Sequence, residues 1–406
     1  MSILRALLAV ACLAAVGCLA VLLHRARRAN VSLWLPAYLQ GDWAGRRSRP
    51  RADGTVHVMF CLADHFEPAL GEAAPPDQLR RIRQWTERFP ELAEPFRDSD
   101  ALPPRHTLFY PAEQYRTDNL EALAPLVEAG LAEVEVHLHH DEATEEGLRR
   151  TLRRFVRQLR SHGYLGEHAE QGGPRFGFVH GNWALDNSRP DGRWCGVNNE
   201  LIVLRKCGCY ADFTLPSAPS PTQTRRINSI YYATDDPLRP KSHDDGQEVR
   251  VGGEPQGDLM IVQGPLGIRW PGGRLGLFPR VENGNLAGGA PPTPWRVRLW
   301  LHTRVGVAGR PEWIFIKVHT HGCDEENWPA LLGEPMRRMH RALDRLCGPK
   351  ARRRLHYVTA REMYNIIRAA ERGLSGDPGR YRDLEILPPP AAEGAARPRQ
   401  TEATDG

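Results

Sequence analysis

The sequence predicts an α/β fold: a parallel sheet covered by helices and curved into a (β/α) barrel, behind an N-terminal transmembrane helix. Three observations carry this reading. Short β-rich runs alternate with helix-period segments along most of the chain, the order that builds parallel sheets. The β-rich runs end repeatedly in His, Asp or Asn. The chain also opens on 18 uninterrupted apolar residues, Ala6 to Leu23, about the minimum for a membrane span.

The elements follow in order. "VHVMFCLA" (56–63) is a strand ending at Asp64 and His65. "HTLFYP" (106–111) is a second, followed by a helix over "TDNLEALAPLVEAG" with Asp118 as cap and Gly130 as stop. "AEVEVHLHH" (132–140) is a third, with a helix from about Thr144 to Arg160 behind it. "RFGFVHGNW" (175–183) leads into a helix over "NNELIVLRKCG". "CYADFTLPS" (209–217) and "SIYYAT" (229–234) are the fifth and sixth strands. After a Gly/Pro-rich stretch, "WRVRLWLHT" (295–303) and "EWIFIKVHTHG" (312–322) read as strands. A helix over 330–346, the strand "LHYVT" (355–359) and a helix from Ala360 to about Arg372 complete the order. The domain reading is an anchor over 1–28, a linker over 29–54, the barrel over 55–372 and a Pro- and Ala-rich disordered tail over 373–406.

Composition excludes several classes. The net charge is +5, yet the arginines are scattered among glutamates and form no basic stripe with aromatics, so nucleic acid is not an expected partner. The eight cysteines have no disulfide-framework spacing. Cys195 upstream of "CGCY" lacks the spacing of paired zinc knuckles, and a structural zinc there is not the favoured reading. Arg25, Arg27 and Arg28 after the apolar span place the body on the cytoplasmic side of a single-pass anchor. Oligomeric state is not legible.

In barrels of this class the chemistry gathers where strands run into helices. The polar groups there are Asp64 and His65, His137 to Asp141, His180 and Asn182, Asp212, and His319 and His321. His137 and His139 lie two apart on a strand and project to one face, with His140 turned away. Two imidazoles and a carboxylate with an open position suit a metal that activates water. "SHDDG" (242–246) has no strand immediately before it and reads as a turn that can fold over the mouth of the site.

The run "VMFCLADHFEP", "HTLFYPAEQY", "VEVHLHHD", "RFGFVHGNWAL", "CYADFTLPS" and "IFIKVHTHG", closed by "LHYVTAREMYNII", resembles the motif order of the polysaccharide deacetylases over about residues 55 to 370. The resemblance implies that the (β/α) barrel is distorted or incomplete, and that the chain is a hydrolase removing acetyl groups from a polysaccharide or lipid-linked saccharide, using a divalent metal, commonly zinc. Carried over residue by residue, it implies Asp64, His137 and His139 as metal ligands. It also implies Asp64 and His319 as catalytic residues, His319 being the proton donor. His180, Asn182, Trp183 and Asp212 would line the saccharide site, Trp183 as a stacking platform. The chain departs from the pattern at two places. A single aspartate ends the first strand, and the position four after His139 is Ala143, so His137 takes the place of the second histidine. Two alternatives stay open: a catalytically degenerate barrel that binds polysaccharide or scaffolds an export complex, and a glycosidase, which needs two carboxylates about 5–9.5 Å apart.

Overall fold

The computed structural model describes residues 2–41, 54–270 and 279–392. Strands β1 (Val56–His65), β2 (His106–Pro111), β3 (Ala132–Leu138), β4 (Phe176–His180) and β5 (Cys209–Asp212) are followed by β6 (Ile230–Ala233), β7 (Gly246–Glu248) and β8 (Leu259–Val262). A small pair, β9 (Gly267–Arg269) and β10 (Arg280–Glu282), precedes β11 (Asn285–Leu286), β12 (Trp313–Thr320) and β13 (Arg353–Tyr357). The main sheet runs β11-β12-β1-β2-β3-β4-β5-β8-β6-β7. Its members from β11 to β8 are parallel, and β6 and β7 continue it antiparallel.

β1 is the hub. One edge pairs with β12 over His57 to Asp64. The other is shared: residues 56–60 pair with β13, and residues 62–65 pair with β2. Along β1 the side chains alternate. Met59, Cys61 and Ala63 join the inner core with Phe109, Val179, Met260 and Phe315. Val58, Phe60 and Leu62 join the outer core with the covering helices. Those helices are α3 (Pro75–Ala93), α4 (Glu145–Ser161), α5 (Glu200–Lys206), α6 (Pro294–Thr303) and α7 (Glu334–Leu346), beyond α1 (Ser2–Arg28) and α2 (Val31–Gln40).

Among the described residues the sheet has two ends, β11 and β7, and does not close into a barrel. It curls nonetheless. Lys317 on β12 sends its ammonium to the carbonyls of Phe213 and Leu215 just past β5. Four strands stand between β12 and β5 in the sheet order, and a lysine side chain spans that gap only if the two face each other across a concave interior. The last helix, α8 (Ala360–Glu371), packs in that interior with Met363, Ile366 and Ile367.

Several expectations are corrected. Residues 295–303 form α6, not a strand: Thr293 caps it by accepting from the Arg296 amide, and Arg296, Val297, Trp300 and Leu301 bury one helical face. The helix expected over 117–130 is two short ones, Thr117–Glu121 and Ala124–Glu128, ended by Gly130 at φ 68°. Helix α3 and strand β8 were not anticipated. The expected linker contains α2, whose Trp34 is buried against Ala218 and Leu266. The expected tail is ordered through residue 392. Ile386 is core, and the Asn365 side chain bonds the backbone of Arg382, Glu385 and Ile386. The rest of that tail, and residues 42–53 of the linker, lie outside the described residues. Helix α1 is long and apolar enough over Leu7–Arg28 to cross a membrane.

Glu133, Glu135 and His137 share the inner face of β3, opposite Val134, Val136 and Leu138 in the outer core. Glu133 is paired by Arg361 of α8 at 2.7 Å. Among the described residues Glu135 forms no ion pair; the Tyr210 hydroxyl and the Gly177 amide donate to it, both at 2.5 Å. Burial outweighs those bonds and pushes its pKa up to about 8. A carboxyl raised in the folded state favours folding below its unfolded pKa, and that contribution is lost as pH rises toward 8. Glu135→Gln, which can accept from Gly177 and donate to Tyr210, should melt with the parent at pH 5 and above it at pH 9. Thermal unfolding of both proteins across that range checks this; a pH-independent difference would contradict it.

Candidate metal centre

The strand ends gather their polar residues at one end of the sheet, but on two faces. Ala63 and Asp64 of β1 register against His319 and Thr320 of β12, and Leu138 of β3 against His180 of β4. On the inner face, donor atoms of His65, Glu67 and His137 lie within 4.8 Å of one another. His139 and His321 stand at their edge, with Nε2 atoms 3.9 Å and 3.8 Å from the Glu67 carboxylate. His65 stacks on His321 at 4.6 Å between ring centroids, and His319 lies behind His65 at 6.2 Å. Trp183 covers the group, 5.8 Å from both His65 and His321.

Two of these imidazoles are held from behind. His137 Nδ1 is 2.8 Å from the Val179 carbonyl, and as that oxygen can only accept, Nδ1 carries the proton. Its Nε2 faces Glu67, 3.4 Å away, buried and, among the described residues, without an aligned hydrogen bond. His139 Nδ1 is 2.6 Å from Glu113 Oε1, which likewise turns Nε2 toward Glu67. A backbone carbonyl and a carboxylate are the usual groups that orient ligating histidines.

Charge and burial act together here. Burial raises the Glu67 pKa, but contact with His137 and the charges of His137, His139 and His321 hold it below its ordinary value. Burial, then the neighbouring imidazoles, hold His65 well below the usual histidine range. Burial and the Lys317 ammonium do the same to His319. His139 is raised: burial opposes this, but Glu113 and Glu67 overcome it. The neutral imidazoles, the one carboxylate and the orphaned Nε2 of His137 fit a divalent cation.

The loop after β4 brings Trp183 to the centre at a conformational cost. Asn182, Trp183, Asp186 and Asn187 are all left-handed, with φ between 51° and 55°. Gly181 lies against His139, where a Cβ would fall 2.3 Å from its ring carbon Cδ2. Left-handed backbone at non-glycine residues clusters at ligand sites because surrounding structure must hold it there.

Three of the sequence's site residues are placed differently from expectation. Asp64 does not meet His137 and His139. It continues the outer alternation of β1, fully buried, accepting from the Gly322 amide at 2.6 Å and lying 3.1 Å from His106 Nε2 beside Trp85. His180 follows Phe176 and Phe178 onto the outer face and faces Glu200 at 3.4 Å. Asp212 is buried and spends both oxygens on Thr214, accepting from its amide and hydroxyl at 3.0 Å and 2.6 Å. Asn182 turns the loop on which Trp183 is carried. The "SHDDG" segment buries Ser242 and His243 against Asp186, at 2.8 Å and 2.9 Å. Sequence reasoning missed Glu67 and gave His65 no role. Both carry the inner alternation of Met59, Cys61 and Ala63 past the strand end.

No family model and no curated protein matches the chain. Among solved structures it is similar to a protein from Mycobacterium smegmatis described provisionally as a polysaccharide deacetylase. The identity is 13%, the TM-score 0.37, and the match covers 80% of this chain and 94% of that one. At that TM-score the likeness says nothing about chemistry.

Asp64→Ala should lower stability by about 1–3 kcal/mol, because the buried Gly322 amide loses its acceptor, while zinc content stays at the parent's level. Urea unfolding together with elemental analysis checks both halves. Loss of zinc would return Asp64 to the ligand set.

Proposed function

We propose that this chain is a metal-dependent hydrolase that removes acetyl groups from a polysaccharide or a lipid-linked saccharide precursor. The supporting observation is the pair His137 and His139, each anchored through Nδ1 so that Nε2 faces Glu67. His65, Glu67 and His137 would hold a divalent ion, with His139 beside them and zinc the natural fit to imidazole and carboxylate donors. When bound, such an ion supplies Lewis acidity toward a carbonyl and lowers the pKa of water.

The remaining steps fall to side chains. His319, kept neutral by burial, takes a proton from the attacking water and passes it to the departing sugar nitrogen or oxygen. The acyl bond breaks, and acetate and the free sugar group leave. Trp183, over His65 and His321, offers an aromatic face to a pyranose, and Asn182 beside it offers an amide. One carboxylate amid five histidines favours this chemistry over a glycosidase, since Glu113 is already engaged by His139.

Glu67→Gln and His137→Ala should lose zinc from this centre and reduce acetate release from acetylated saccharides to background. His319→Gln should keep the zinc and slow release by about 10²–10⁴-fold, the usual scale for a proton-transfer group. Zinc content and acetate assays on the three variants check the split; undiminished activity in Glu67→Gln would overturn the reading. A zinc-loaded parent that binds saccharide but releases no acetate would identify the degenerate binding fold instead.

The reading includes a membrane anchor in α1, with Arg25, Arg27 and Arg28 in its last turn and the body on the cytoplasmic side. C-terminal reporter fusions should give the cytoplasmic signal; a signal from the opposite side would reverse the orientation.

A further inference from the structure

On the outer face of the same strand ends lies a second constellation that the proposed chemistry does not use. His140, His180, Cys195 and Glu200 present donor atoms that are all within 4.8 Å of one another. They come from four places in the chain: just past β3, the end of β4, the loop between β4 and α5, and the first turn of α5. His140 Nε2 is 2.9 Å and His180 Nε2 is 3.4 Å from Glu200 Oε1. Cys195 Sγ is 3.4 Å from Glu200 Oε2. A tetrahedral zinc with the usual bond lengths needs donors about 3.3–3.8 Å apart. These separations are close to that.

A plain hydrogen-bond network accounts for part of this. Glu200 accepts from the Asp186 amide at 2.6 Å, from the Cys195 thiol and from His140. It does not account for His180. That side chain is fully buried; its Nδ1 donates to the Gly181 carbonyl, and its Nε2 has no hydrogen-bond partner among the described residues though it lies 3.4 Å from Glu200. Leaving such a group unsatisfied in a dry site is unfavourable, because it has lost its water and gained no partner. A cation would use that lone pair.

We propose that His140, His180, Cys195 and Glu200 form a second metal site, a structural zinc centre of the Cys-His-His-Glu type. Four protein donors close the coordination sphere, whereas the inner centre keeps partly exposed histidines at its edge, which is the usual difference between structural and catalytic zinc. Binding displaces the thiol proton of Cys195, which leaves as one proton per ion bound. The ion cross-links the end of β3, the end of β4 and α5, and so clamps the left-handed loop that carries Trp183. The inference is independent of the hydrolase reading.

The test uses the full-length chain in detergent and two variants, Glu67→Gln, which removes the carboxylate of the inner centre, and Cys195→Ser. Against a competing chelator Glu67→Gln should retain one zinc ion per chain, and Cys195→Ser should lose that tightly held ion. Cobalt(II) loaded into Glu67→Gln should show a thiolate-to-cobalt charge-transfer band, absent when Cys195→Ser is added. If Cys195→Ser misfolds, the Glu67→Gln spectrum decides alone, because among the described residues Cys195 is the one cysteine in a cluster of metal-competent donors. Glu67→Gln protein that holds no metal, or cobalt bound without the thiolate band, would overturn the proposal.

Discussion

Period-two alternation along parallel strands is the constraint on which the rest depends. A strand residue faces either the concave interior or the helix layer, and its neighbours take the opposite side. At the C-terminal end of this sheet the rule divides the polar groups into two populations. His65, Glu67, His137, His139, His319 and His321 are on the inside; Asp64, His140 and His180 are on the outside. Sequence-adjacent residues therefore have unrelated partners. His139 meets Glu113 and Glu67, whereas His140 meets Glu200.

The loop from Gly181 to Asn187 crosses between the two populations. It leaves β4 from His180 on the outer face and delivers Trp183 over the inner one within three residues. So short a crossing leaves little choice of backbone, which explains the left-handed residues along it and the absence of a side chain at Gly181. Bonds on the far side hold the loop in place. The Glu200 carboxylate takes the Asp186 amide, and Asp186 in turn receives Ser242 and His243 from the segment after β6. Inner-site geometry thus depends on groups that never touch it.

The opposite end of the interior is filled rather than open. Helix α8 enters on the concave side with a capping box at Thr359 and Glu362. Arg361 bonds Glu133 on β3, and Arg105 pairs with Glu362. Buried ion pairs of this kind contribute little net stability but are costly to break. They fix where α8 begins and hence how far the interior is plugged, leaving the strand-end side for a ligand.

By itself the sequence determined the α/β class, the strands whose ends carry histidine, and the inward pairing of His137 with His139. Those follow from local periodicity, which the residue order records directly. The same rule applied past the end of β1 would have found Glu67, since "FCLADHFE" keeps its inner face every second residue. Other decisions belonged to tertiary structure. Asp64 was assigned to a metal by its resemblance to the aspartate of the first deacetylase motif, but its partner is the Gly322 amide, 258 residues away. His180 and Cys195 carried no readable spacing because their site is assembled from four segments. Whether the parallel strands close into a ring or stop short depends on how far the sheet curls and what fills the gap, here Lys317 and the segment after β8. Local sequence records which face a residue takes; only the packed chain decides what it meets there.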